Sequence, residues 1–193
     1  MTAPGPDYPA ELAHPLTLRD GTVVRLRPIR PDDAPRLQAL HGRLSRDSAY
    51  HRFFAIVKRL PPDWARVLAT VDYRRRLALV VEAPSGDDPE LIAVGRYDAL
   101  EEADTVEVAF VVQDTWQNRG LGTALFLSLL DAATARGMRR FRAWVLADNM
   151  RMLDLIHRYG DVEQHRRDGA VFELVFTPRA PISERPAPAP ASA

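Results

Sequence analysis

The sequence predicts an α+β (mixed α/β) fold, one domain in which helices cover the faces of a mixed sheet. Three observations point there. Short runs with period-two alternation, such as Thr105–Val112, mark strands. Longer stretches with apolar residues at helical spacing, such as 121–136, lie among them. Turns rich in glycine and proline separate the two kinds of segment, giving the order β, helices, β-β-β, α, β, α, β-β.

The first strand is expected at 22–29, where Val23, Arg25 and Arg27 alternate with Thr22, Val24 and Leu26. Pro31, Asp32 and Asp33 then open a helix, because proline is tolerated in a first turn and acids there suit the helix dipole. Leu37, Leu40 and Leu44 supply its apolar face, and further helices are expected at 47–57 and 62–71. The apolar run 77–83, bounded by three arginines and the turn 84–87, reads as a central strand, with 91–97 as its hairpin partner. Thr105–Val112 follows, then the helix 121–136 stopped by Gly137, a strand at 141–146, and a helix at 149–159. A hairpin of 162–167 and 171–177 around Asp168 and Gly169 closes the domain. Prolines punctuate both ends, so residues 1–15 are expected to be an unstructured tail, 16–178 the domain, and 179–193 a Pro/Ala-rich tail or linker.

Composition narrows the function. The 193 residues carry 26 basic and 26 acidic side chains for a formal net charge of zero, which argues against nucleic acid or an anionic membrane as partner. Cysteine is absent, which excludes thiol catalysis, thiolate metal sites and disulfides. No apolar run approaches the roughly 20 residues of a spanning helix, and residues 1–16 lack the pattern of a signal peptide, so a cytoplasmic location is expected. The five histidines show no metal-ligand spacing, and no metal is expected. Ser45 and Ser48 suit helix capping better than nucleophilic catalysis.

The informative segment is Gln117-Asn118-Arg119-Gly120-Leu121-Gly122, between a strand and a helix. Gly120 and Gly122 let the backbone approach a bulky ligand, and the helix N-terminus behind them, from Leu121 and Thr123 onward, presents unpaired N–H groups and partial positive charge. Arg119 adds a full charge. This is a phosphate cradle. No lysine follows Gly122, against a Walker loop, and Leu125 stands where a dinucleotide fingerprint needs glycine.

The segment resembles the pyrophosphate loop of GNAT acyltransferases. The resemblance extends to Glu107-Val108-Ala109-Phe110-Val111-Val112 before the loop, to Val145–Asn149 with Met152 and Gly160 after it, and to the opening 24–33. It covers about 16–178 and implies the GNAT fold, a mostly antiparallel sheet of six to seven strands flanked by helices. Acetyl-CoA is the implied cosubstrate, held by Phe110, Val111, Val112, the loop from Gln117 to Thr123, Asn149 and Met152. Within the family, SRDSAYHRFF at 45–54 with Glu107 and Met152 is most similar to the catalytic domain of bacterial Pat-type protein lysine acetyltransferases.

The implied reaction is attack of an amine on a thioester, which needs a neutral nitrogen. Deprotonating a lysine at pH 7 costs about 4 to 5 kcal/mol, and a nearby carboxylate can accept the proton. Glu107 is the candidate base from the resemblance; a solvated sheet face is the alternative reason for its place in an apolar strand. The tyrosine that many family members carry seven residues after the Asn is here Ile156, so no general acid is assigned. Trp116 is expected to pack the loop, and Arg136, Arg139, Arg140 and Arg142 either meet a 3′-phosphate or sit on an exposed edge. The acceptor is a protein with an accessible lysine, an acyl-CoA synthetase among the implied targets, or else a small amine or protein N-terminus. A non-catalytic acyl-CoA sensor is the reading from another class. An open face beside 49–57 and 62–71 favours a protein acceptor, and a closed pocket favours a metabolite.

Overall fold

The computed structural model describes residues 7–84 and 88–179. The expected turn at 85–87 and tail at 180–193 lie outside the described residues. Eight strands form one sheet in the order β1-β2-β3-β4-β5-β6-β8-β7. They are β1 (His14–Thr17), β2 (Val23–Pro28), β3 (Arg76–Ala83), β4 (Glu90–Ala99), β5 (Thr105–Val112), β6 (Arg140–Leu146), β7 (Gly160–Asp168) and β8 (Val171–Pro178). Every neighbouring pair is antiparallel except β5–β6. The sheet is mostly antiparallel, as expected, but larger by one strand.

The added strand is β1. Its prolines made the segment read as an unstructured tail, and the expected boundary at residue 16 falls inside it. Pro15 is accommodated because β1 is an edge strand, where a missing N–H faces solvent. A 3-10 turn at Ala10–Leu12 precedes it, so structure begins before the boundary expected from proline content.

Five helices cover the two faces: α1 (Ala34–Gly42), α2 (Arg46–Phe53), α3 (Pro62–Ala69), α4 (Leu121–Thr134) and α5 (Met150–Tyr159). Helices α4 and α5 bury Leu125, Phe126, Leu129 and Ile156 against one face, where Leu77, Val106, Val108 and Phe141 meet them. On the other, Leu37 and Leu40 of α1 and Ala65 and Ala69 of α3 pack on Ile29, Ala78, Val80 and Leu91. Covered on both sides, β3 is buried from Leu77 to Ala83, as a central strand should be. Helix α2 is shorter than the expected 47–57 because Phe54 takes a left-handed conformation, φ 53°, and ends it.

An ion cluster pins β2 to the start of α1 and to β3. Arg27, 3% exposed, makes a two-pronged contact with Asp33 at 2.7 and 2.7 Å and a third bond to Glu82 at 2.7 Å. Arg36 reaches Glu82 at 2.8 Å, and Asp33 also accepts the Arg30 backbone N–H at 2.8 Å. Burial alone would raise the Asp33 and Glu82 carboxyls, but the hydrogen bonds and charge of Arg27, with help from Arg36, hold both below the ordinary carboxylate range.

Removing one partner leaves an uncompensated buried charge. Arg27→Met is therefore expected to cost about 3 to 5 kcal/mol, read as a lower urea midpoint. Because both carboxyls are depressed, their contribution is complete above about pH 5 and declines as pH falls through their folded-state values. Urea midpoints of the wild type should fall over that acid range, and those of Arg27→Met should fall less.

Candidate active site

Strands β5 and β6 stay paired only from Thr105↔Arg140 to Val108↔Ala143. Beyond that, β5 follows β4 as far as Val112↔Ala93, while β6 follows β8 as far as Leu146↔Val171. The sheet is intact on each side and parted in the middle. Gln113 donates its backbone N–H to Ile92 at 2.9 Å, so residues 113, 111 and 109 turn their polar groups toward β4. By alternation, Phe110 and Val112 turn theirs into the gap. The Val112 carbonyl there accepts from Gln117 Nε2 at 3.0 Å.

The chain leaves β5 through a 3-10 turn, Asp114–Trp116, and enters the loop before α4. Asn118 (φ 63°) and Gly120 (φ 85°) both adopt the left-handed region, and Gly120 is the N-cap of α4. The loop thereby turns the free N–H groups of the first turn toward the mouth of the gap. A groove of about 690 Å³ results. Its β5 wall is Phe110, Val111 and Val112; Gln117, Asn118, Gly120, Gly122 and Thr123 form the loop end; Asn149 and Met152 come from the start of α5. Asn149 caps α5, its side chain accepting from the Met152 N–H at 3.2 Å.

Three residues singled out from sequence are not in the groove wall. Leu121 is fully buried in the core under α4. Arg119 turns outward: its guanidinium pairs with Asp20 at 3.0 Å and lies 4.9 Å from the centre of the Trp116 ring. Trp116 does pack the loop. Glu107 lies lower on β5; since Val106 and Val108 join the α4 core, its side chain projects from the opposite face. That face carries α2, whose Arg52 sits in the field of Arg96, Asp98 and Glu107. Burial lowers the Arg52 guanidinium to about 10, Arg96 adding to the effect and the two carboxylates opposing it. Arg52 stays charged at neutral pH.

Other groove residues were not singled out from sequence as part of the site. Asp114 accepts from the Ser45 N–H at 2.9 Å and from the hydroxyls of Ser45 and Ser48 at 2.7 and 2.8 Å. Burial pushes its carboxyl up, but these bonds outweigh it and leave it below the usual range. Ser45 caps α2, its oxygen accepting from the Ser48 N–H. Gln117 completes a clasp, donating to Ser48 at 3.1 Å and accepting from Arg151 at 2.6 Å. His51 Nε2 meets Asp148 at 2.9 Å, a second tie between α2 and the α5 entrance. Arg19 lines the loop end. A signal for it was absent because it lies about a hundred residues from the loop it touches.

Remaining candidates sit elsewhere. Arg136 binds the Tyr73 and Ala132 carbonyls, Arg140 pairs with Glu163, and Arg142 with Glu102 and Glu173. Ile156 is fully buried. Among the described residues no group of three His, Asp or Glu side chains is placed to hold a metal ion, and no helix is long and apolar enough to cross a membrane.

A parted parallel pair, a glycine loop and a helix N-terminus facing the gap define a cofactor-binding acyltransferase fold, and the chain belongs to the acetyltransferase (GNAT) family, whose profile matches residues 47–160. It is 30% identical to an acetyltransferase of Pseudomonas aeruginosa over 79% of this chain and 82% of that one. It is 32% identical to the acetyltransferase Pat of Mycolicibacterium smegmatis over 85% of this chain, and spans about half (49%) of that longer relative. Among solved structures it resembles the GNAT domain of S. lividans PAT, with TM-score 0.77 and 36% identity over 88% of this chain and 99% of that one. The protein is thus an acyltransferase of the GNAT class, a family that uses acetyl-CoA.

The two loop glycines make different demands. Gly120 needs glycine for its backbone, but a Cβ on Gly122 would meet only Val112 Cγ2, at an ordinary 3.8 Å. The fold itself therefore tolerates a methyl at 122, which would project toward the β5 wall of the groove. Gly122→Ala is expected to keep stability within about 0.5 kcal/mol while weakening acetyl-CoA binding roughly tenfold. Thermal unfolding and calorimetric titration check the two halves.

Proposed function

We propose that the protein transfers an acetyl group from acetyl-CoA to a lysine side chain of a protein, with Glu107 as general base. The observation that carries the protein acceptor is the character of the α2–α3 face. A recess on that face, behind Phe53, Leu60, Leu68 and Val111, holds about 30 Å³. A small-molecule pocket is typically about 300 Å³ or more. Outside it, Tyr50, Phe54, Ile56, Trp64 and Val67 stand exposed. An open surface with aromatic and aliphatic side chains suits a protein better than a metabolite. The similarity to Pat supports the same reading.

In this mechanism CoA lies in the gap between β5 and β6. Its pyrophosphate meets the amides of Asn118 to Thr123, and the pantetheine arm runs along Phe110 to Val112 and past Asn149 and Met152. Glu107 takes a proton from the incoming lysine ammonium, directly or through water. The neutral amine attacks the thioester carbonyl, and the developing oxyanion is met by N–H groups of the parted β5 edge. Collapse expels CoA thiolate, a leaving group of modest basicity. The second proton shed by the nitrogen as it becomes an amide passes to the departing sulfur or to solvent, no side chain being assigned as the acid.

Release of free CoA thiol, followed with an acyl-CoA synthetase and with a panel of small amines, tests the reading. Turnover is expected on the protein. Glu107→Gln should lower kcat by roughly a hundred- to a thousandfold with acetyl-CoA affinity unchanged. Turnover confined to small amines would replace the protein acceptor, and an active Glu107→Gln would remove Glu107 from the role.

A further inference from the structure

The cradle's own arginine is spent elsewhere, and another takes its place. Arg119, within the loop, has its charge engaged by Asp20 at 3.0 Å and its guanidinium carbon 4.9 Å from the centre of the Trp116 ring. Asp20 belongs to the tight turn joining β1 to β2, closed by bonds from Leu18 N–H to Thr22 O at 2.8 Å and from Gly21 N–H to Leu18 O at 3.0 Å. The next bond docks this turn on the loop: Arg19 N–H donates to the Arg119 carbonyl at 3.1 Å. The Arg19 side chain then runs across the bare α-carbon of Gly120. A Cβ there would lie 3.3 Å from Arg19 Cγ and 3.4 Å from its Nε.

Arg19 lines the groove at the loop end, is exposed, and has no carboxylate paired with it among the described residues. An uncompensated guanidinium thus stands beside the open N–H groups of the α4 first turn. Two independent features, side-chain charge and oriented amides, face one region of the groove, and both favour a phosphate.

We propose that Arg19, carried by the N-terminal hairpin, is the guanidinium that binds a phosphate of the CoA nucleotide, so that the β1–β2 turn forms part of the cofactor site. The proposal rests on the acetyl-CoA reading above and adds a residue outside the 47–160 family match. It also explains the bracing of the turn. The Asp20–Arg119 pair and the Arg19–Arg119 backbone bond hold the hairpin against the loop, which shortens the search of a long, flexible side chain. The planar fork of Arg19 is then free for the ligand.

Calorimetric titration of wild type, Arg19→Ala and Arg19→Lys with acetyl-CoA and with acetyl-dephospho-CoA, which lacks the 3′-phosphate, tests this. Arg166→Ala, on the far edge strand β7, controls for loss of one positive charge. Arg19→Ala is expected to weaken acetyl-CoA roughly tenfold, with Arg19→Lys intermediate, Arg166→Ala unchanged, and the unfolding midpoint of the free protein unmoved. A loss confined to acetyl-CoA places Arg19 on the 3′-phosphate. An equal loss with both ligands places it on the pyrophosphate. Wild-type affinity in Arg19→Ala for both ligands overturns the proposal while leaving the acetyl-CoA reading intact. Failure of the wild type to bind acetyl-CoA overturns that reading, and Arg19's role with it.

Discussion

The site depends on the parting of β5 from β6. These strands are the one parallel pair in an otherwise antiparallel sheet, and each has a firmer partner on its other side. β4 holds β5 through Val112, and β8 holds β6 through Leu146, so the pair separates after Val108 and Ala143 without either strand losing its place. The cost of unpaired backbone groups is kept low because Gln117 holds the Val112 carbonyl and the gap opens to solvent, where water can satisfy the Phe110 groups and the Val112 N–H. The same opening leaves those groups available to a ligand with its own amides and carbonyls. Helix α4, with its N-terminus at the mouth of the gap, supplies the positive end.

What keeps the gap in shape is polar. Gln117 ties the loop to β5, to α2 through Ser48, and to α5 through Arg151. Asp114 ties the turn after β5 to the start of α2. Further back, Arg43 at the end of α1 bonds the Leu91 carbonyl and the Gln113 side chain. The Gln117 and Asp114 contacts join the segment after β5 to α2 and α5. The network fixes the distance between α2 and α5, and with it the width of the groove. Gln117, expected from sequence among the cofactor-binding residues, serves through its side chain as a brace.

The division of labour across the sheet has a mechanistic consequence. Strand alternation sends Val106 and Val108 into the α4 core and Glu107 to the α2 side. The proposed thioester site and the proposed base therefore belong to one strand but to different faces, with Glu107 in the still-paired stretch next to where the gap opens. In the proposed reaction an amine arriving over α2 would meet the Glu107 carboxylate before the thioester carbonyl. Arg52 and Arg96 beside Asp98 and Glu107 keep that approach balanced in charge.

The sequence by itself determined the strand–loop–helix from Thr105 through Thr123, the helix cap at Ser45 and the order of the elements from β2 onward. Those features rest on local rules: alternation, glycine where φ is positive, and side chains that cap the helix they begin. It misjudged β1, because proline reads as a breaker wherever a chain is viewed without its neighbours, and only an edge position excuses it. Tertiary structure decided which arginine faces the groove. Arg119 and Arg19 are equally basic on paper, and the choice was made by Asp20 and Trp116, which turn the first away. It also decided where β5 and β6 part, since that point depends on how far β4 and β8 extend beside them. Hydrogen-bond partners and side-chain direction are settled by whatever stands alongside, and here those neighbours come from up to about a hundred residues away.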